Sequence, residues 1–403
     1  MTAPQRRQGP RPLGLHLTAS LNVLLSSPAA LPFSRNGSLL WRPELRDRAA
    51  ALQPDLAAAP ADELAAAVDR EVRRRMDRLL AGLERYRAHP YQRDVVDPTP
   101  VWTEGRSRLL DYGGSGRAVL FIPSLVNRGY ILDLSARKSL MRWLAGQGLR
   151  PFLLDWGAPG PAERGFTLTD IIAGRLSRAL AEVQRLSGGD RPVLAGYCMG
   201  GNLALAAALR HQDRLAGLAL LATPWDFHAE EREGALRVAA MLGPFEPALR
   251  LLGELPVDAI QALFASLDPL LVLKKFSRFA TLDPDGDPAR EFVALEDWLN
   301  DGVTLPAAVA RECLAGWYGR NDTAAGRWMV AGRPVRPERL DLPTLVLVPA
   351  KDRIVPPSSA TALGAAIPGA TVLRPPLGHI GMIVSAGAEE KVWHPLLDWI
   401  RAR

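Results

Sequence analysis

The chain has 403 residues, 48% of them hydrophobic and 23% charged, with a formal net charge of +6. That is the make-up of an ordinary globular protein with ample core; the positive residues, nearly all arginine, are scattered and form no basic run with interleaved aromatics, which argues against a nucleic-acid partner. Two cysteines, Cys198 and Cys313, cannot build a disulfide framework and fit a reducing cytoplasm, and no apolar run reaches the roughly 20 residues that span a bilayer.

Residues 1–60 are rich in Pro, Ala and Arg and poorly periodic, which predicts an irregular segment with at most one short apolar helix. The stretch from Arg6 and Arg7 through Leu13 to Ala30 has a faint look of a signal peptide. His16, Asn22 and Pro28 interrupt its apolar part, so a flexible or surface-docking segment is the plainer expectation. Between Ala61 and His89, the residues Leu64, Val68, Val72, Met76, Leu79, Leu83 and Tyr86 recur every three or four positions. They predict an amphipathic helix whose stripe packs a core or forms a dimer. Lead-in strands complete a region 61–117.

From Ala118 apolar strands alternate with helices. Ala118–Ile122 and Pro151–Trp156 read as strands, Ile131–Gln147 between them as a helix closing at Gly148. Thr169 is a candidate N-cap for a helix through Ile172, Leu176, Leu180 and Val183 that stops at Gly188-Gly189. Strands follow at Pro192–Ala195, Leu215–Leu221, Thr344–Val348 and Thr371–Leu373, with a closing helix Val392–Arg403. Continuous apolar strands alternating with helices predict a mostly parallel sheet covered on both faces. The alternation breaks over 225–335, where prolines divide helical pieces rich in aromatics. This stretch reads as a cap inserted into a core of 118–224 and 336–403.

Gly196-Tyr197-Cys198-Met199-Gly200-Gly201 follows a strand and opens a small-residue helix. It has the form of a nucleophile elbow, with cysteine where hydrolases usually carry serine. A cysteine nucleophile needs a base to form the thiolate and an acid to orient that base. Asp352 in Lys351-Asp352-Arg353-Ile354-Val355-Pro356 and His379 in Gly378-His379-Ile380-Gly381 both follow strands, in the order nucleophile, acid, histidine. Cys198, Asp352 and His379 are therefore the candidate catalytic residues. An oxyanion hole calls for two convergent backbone N–H groups, here expected from Met199 and from Val126 in the loop after Ala118–Ile122. Gly113-Gly114-Ser115-Gly116 precedes a strand and is a turn, not a dinucleotide loop. Asp283, Asp285 and Asp287 have the wrong glycine spacing for a calcium loop. Neither a metal nor a cofactor is expected.

These segments together resemble the polyhydroxyalkanoate (poly-3-hydroxybutyrate) synthases, cysteine-dependent polyester polymerases of the α/β-hydrolase superfamily. The resemblance is carried by Pro123–Arg128 leading into Tyr130–Leu134, Asp155–Pro159, the Cys198 box, Trp298 with Asp301, Leu305 and Pro306, and the loops of Asp352 and His379. It implies an α/β-hydrolase fold with a helical cap. It also implies an acyltransferase that polymerises 3-hydroxyacyl-CoA through acyl-Cys198, with His379 moving protons and Asp352 orienting His379 or helping activate the next hydroxyl. The growing polyester or a granule surface, and a homodimer or partner subunit, are the implied partners in a cytoplasmic, granule-associated setting. Two other readings stand beside it: a thioesterase or polyester depolymerase using the same triad with water, and a non-catalytic granule protein.

Overall fold

A computed structural model describes residues 7–403; Arg6, part of the expected leader-like stretch, lies outside them. The chain divides into two compact units. One comprises residues up to Tyr91 together with Ala265–Asn300; the other comprises Gln92–Phe264 and Asp301–Arg403.

The second unit is built on eight strands: β1 (Pro100–Glu104), β2 (Ser107–Asp111), β3 (Ala118–Ile122), β4 (Arg150–Asp155), β5 (Val193–Tyr197), β6 (Gly217–Leu221), β7 (Thr344–Leu347) and β8 (Thr371–Leu373). They lie in the order β1-β2-β4-β3-β5-β6-β7-β8. Every pair is parallel except β1–β2 and β2–β4. All residues of β3, β5, β6 and β7 are buried, as expected when helices cover both faces of a parallel sheet. The register aligns Ile122 with Gly196, Tyr197 with Leu221, and Leu221 with Leu347. The loops leaving β3, β5, β6 and β7 therefore emerge side by side at the carboxyl edge, where open α/β sheets bind ligands.

The other unit is helical: Leu13–Arg35, Arg46–Ala58, Ala61–Ala88, Leu271–Phe279 and Asp287–Asn300. The apolar stripe of Ala61–Ala88 supplies Leu79, Leu83 and Tyr86 to a core with Val272, Phe276, Phe279, Ala289 and Val293. A Cβ on Gly82 would overlap the Phe276 carbonyl, so glycine permits the close helix crossing.

Four expectations change. Residues 7–60 are not irregular; two helices occupy most of them, one with Pro28 and Pro32 inside it. Leu13–Arg35 has apolar and polar residues mixed on all sides and so shows no helical period. Ile131–Gln147 is not one helix: a 3-10 turn and a short hairpin (Asp133–Ser135 with Lys138–Ser139) precede a helix that begins only at Leu140. The fully buried Asp133 carboxylate, held by Arg142, Arg93 and Tyr112, fixes the hairpin, and the Ser139 hydroxyl caps the helix by accepting from Arg142 N at 3.0 Å. Thr169 is already helical; Thr167 and Asp170 make the cap reciprocally, the hydroxyl accepting from Asp170 N and the carboxylate from Thr167 N. Finally, the division by compactness cuts across 225–335, with 265–300 joining the N-terminal helices and the rest joining the sheet unit. The Asp283–Asp287 stretch is the turn that enters the helix Asp287–Asn300. Among the described residues, no helix is long and apolar enough to cross a membrane.

Candidate active site

Cys198 stands between β5 and the helix Met199–Arg210 with φ +56° and ψ −131°. A side chain rarely adopts this backbone, so the surrounding structure must impose it. Its N–H is anchored to Leu221 O at 2.8 Å. Around it the glycines are steric necessities. A Cβ on Gly196 would strike the backbone of Gly200 and Gly201, one on Gly200 the carbonyls of Ile122 and Pro123, and one on Gly201 the side chain of Thr223. The first turn of the helix is thereby pressed against the end of β3, and Cys198 remains half-buried at the carboxyl edge.

Asp352 and His379 come from the loops after β7 and β8. Both side chains are buried, and His379 Nδ1 lies 2.6 Å from Asp352 Oδ2. The other Asp352 oxygen accepts from the N–H groups of Ile354 and Val355 at 2.8 and 2.9 Å. These bonds hold the carboxylate independently of the histidine. Burial acts to lower the His379 pKa, but the charge of Cys198, the hydrogen bonds to Asp352 and Cys198, and the charge of Asp352 outweigh it and push it up to about 10. These influences favour the charged form of the histidine beside the sulfur of Cys198.

Met199 opens the helix beside Cys198, so its N–H belongs to the unsatisfied first turn. The Val126 N–H points to the Ser124 hydroxyl at 3.4 Å, a long bond that a stronger acceptor can displace. Two neighbours escaped the sequence reading. Tyr197 donates its hydroxyl to His379 O at 3.1 Å, with the rings 5.2 Å apart; the signal was its position inside the elbow. Tyr318, its hydroxyl pKa raised by burial and by the charges of Cys198 and Cys313, stacks edge-on against Phe227 at 4.7 Å. Trp317, Trp328 and Trp225 continue this aromatic cluster.

The family model of the α/β-hydrolase fold matches residues 117–386. The poly(3-hydroxyalkanoate) polymerase subunit PhaC of Synechocystis sp. is 30% identical over 293 residues, covering 71% of this chain and 78% of that protein. The chain belongs to the polyhydroxyalkanoate polymerase family of the α/β-hydrolase fold. The PhaC subunit of Allochromatium vinosum is 29% identical over 71% of the chain and 81% of its own length. That of Haloferax mediterranei is 28% identical over 79% and 67%. In this polymerase-family chain the matched span takes in Cys198, Asp352, His379, Met199 and Val126 together, and every one of them stands on a loop or helix start at the carboxyl edge of the sheet.

Proposed function

We propose that the protein polymerises 3-hydroxyacyl-CoA into polyhydroxyalkanoate, with Cys198 as nucleophile, His379 as acid and base, and Asp352 as the group that orients His379. The observation that carries this reading is the buried His379–Asp352 contact, set beside a cysteine on a strained elbow in a polymerase-family chain.

In the first half-reaction the Cys198 thiolate attacks the thioester carbonyl, and the N–H groups of Met199 and Val126 take the developing oxyanion. The C–S bond to coenzyme A breaks, a C–S bond to Cys198 forms, and the His379 proton leaves with the coenzyme A thiolate. Acylation removes the negative charge on Cys198, one of the influences that hold the histidine pKa up, while the burial that lowers it persists. His379 becomes the better base at the moment a base is required. It accepts the proton of the incoming 3-hydroxyl, whose oxygen forms the new ester as the Cys198 thiolate departs. The cycle closes on the thiolate–imidazolium pair.

Thiol–thioester exchange is close to thermoneutral, so a cysteine nucleophile favours handing an acyl chain onward over losing it to water. The growing polyester at a cytoplasmic granule surface is the proposed acceptor, and a second copy or a partner subunit the proposed assembly. The test is incubation of purified protein with 3-hydroxybutyryl-CoA, following free thiol and fractionating the product beside Cys198→Ala. Thiol release with insoluble polymer supports the synthase. Release with soluble free acid assigns the triad to a thioesterase or depolymerase, and release by Cys198→Ala refutes the nucleophile.

A further inference from the structure

Asp301 lies in a sequence pattern that the triad leaves without a role. In the sheet unit, three consecutive residues of the loop after β3 are laced onto three consecutive residues of the strip Asp301–Val303. Val303 N donates to Val126 O at 3.3 Å. Asn127 and Gly302 pair as an isolated antiparallel bridge. Arg128 Nε stands 3.5 Å from Asp301 Oδ1. The strip is itself confined from behind: a Cβ on Gly302 would sit 2.9 Å from Val257 Cγ1 and 3.3 Å from Gln261 Nε2, on the helix Val257–Ala265. Val303 is buried.

We infer that the strip Asp301–Val303 is the template that sets the height of the Val126 N–H at the oxyanion, with Asp301 and Gly302 as positioning residues. This rests on the acyl-transfer reading above and adds to it the means by which one half of the oxyanion hole is placed. The physical reason is that Val126 belongs to an irregular loop. Among the described residues its N–H has the long bond to Ser124, too weak for the loop's own hydrogen bonds to fix it. The carbonyl of the same residue is fixed by Val303; only the two backbone torsions of Val126 separate that peptide plane from its own N–H, and a β-branched residue has few allowed combinations of them, so holding the one restricts the other. Asp301 and Arg128 close the lacing at its far end, where a charge-assisted contact sets register. Gly302 leaves the strip thin enough to lie between the loop and the helix.

The test separates oxyanion binding from thiolate formation. Alkylation of Cys198 by iodoacetamide needs the thiolate and His379 but develops no oxyanion, whereas acylation by a thioester needs both. For Asp301→Asn, which keeps the shape and removes the charge, kcat for thiol release from 3-hydroxybutyryl-CoA is expected to fall about 10-fold with KM within about 2-fold. Gly302→Val, which drives the strip off the helix, is expected to lose about 100-fold, as a displacement on the order of 1 Å does. The alkylation rate should stay within about 2-fold of wild type in both. Arg128→Ala should match Asp301→Asn, and the double variant should lose no more than either alone. Unchanged kcat in Asp301→Asn and Gly302→Val, or alkylation falling in step with turnover, would overturn the template. Wild-type protein that is alkylated at Cys198 yet releases no thiol from hydroxyacyl thioesters would instead remove the acyl-transfer reading, and the template with it.

Discussion

His379 Nδ1 sits 2.6 Å from a carboxylate oxygen of Asp352, while the opposite oxygen of that carboxylate is already held by two backbone N–H groups. The carboxylate is thus fixed by its own loop and faces one nitrogen of the histidine, whose other nitrogen is left to Cys198. Replacing Asp352 by Asn keeps the shape and removes the charge. Turnover of 3-hydroxybutyryl-CoA should drop about 10²- to 10⁴-fold, by analogy with other triads that lose their acid. The alkaline limb of the pH profile should also move to lower pH, since Asp352 is among the causes that raise the histidine. A variant with unaltered limb and rate would disprove the orienting role.

Serine should not replace Cys198. Serine takes away the Cys198 charge that helps hold the histidine pKa up, so no preformed ion pair remains, and a hydroxyl is a far weaker nucleophile than a thiolate at neutral pH. Cys198→Ser is therefore expected to retain less than about 10⁻³ of wild-type thiol release, measured at pH 7. Activity near wild type would mean that turnover does not require the charge on Cys198.

The same shift predicts a stability profile. His379 is raised in the folded chain relative to an unfolded value of 6.5. Its contribution is fully present below pH 6.5 and is lost as pH rises through about 10, because over that window the folded state binds the extra proton. Urea unfolding of wild type and His379→Gln between pH 6 and 10.5, ~0.5 units apart, should show the stability difference narrowing with rising pH. A difference that widens would reverse the sign of the assignment.

At the elbow, what stands in the way of an added methyl decides its cost. Gly200 faces backbone carbonyls, which move only with the end of β3, whereas Gly201 faces the Thr223 side chain, where turning the hydroxyl away clears its contact but leaves the Cβ at 2.7 Å. Gly200→Ala should cost about 3 kcal/mol and Gly201→Ala about 2 kcal/mol. Chemical denaturation followed by tryptophan fluorescence ranks the two, and the opposite order would contradict the packing.

In the helical unit, Lys275 Nζ meets the buried Glu296 carboxylate at 2.7 Å. Burial pushes the Glu296 pKa up, against the pull of Lys275. Lys275→Met leaves that carboxylate without its cation and should destabilise by about 3–5 kcal/mol, while Lys275→Met with Glu296→Leu should restore most of the loss. Two unfolding transitions are read separately because the chain has two units. A double variant as unstable as the single one would deny the pair its coupling.

Much of the sheet unit was legible because buried parallel strands write themselves as short apolar runs: Ala118–Ile122, Val193–Tyr197 and Thr344–Leu347 are such runs, each buried throughout. The elbow was legible because its glycines stand at fixed spacings around the cysteine, although only Gly196 meets atoms within a few residues while Gly200 and Gly201 meet Ile122, Pro123 and Thr223. What escaped has a common cause. The helix Leu13–Arg35 mixes apolar and polar residues around its whole circumference and so has no period to detect. The hairpin within Ile131–Gln147 depends on Asp133 meeting Arg93, forty positions away, and no local pattern announces that partner. The 265–300 segment carries aromatics like the residues on either side of it, yet its apolar faces match the helix Ala61–Ala88.

The sequence by itself determined the alternation of strand and helix, the cysteine at the turn, and the order in which acid and histidine follow it. Each of these is written in residues that are neighbours in the chain or spaced by one element's period. The tertiary structure alone decided that Asp352 and His379 meet in a buried contact, that residues 265–300 join the N-terminal helices, and that Val126 is laced to Val303. Periodicity reports which side of an element is buried but not against what. The partner is chosen when loops close and surfaces of matching shape exclude water from one another, and that choice is made in three dimensions.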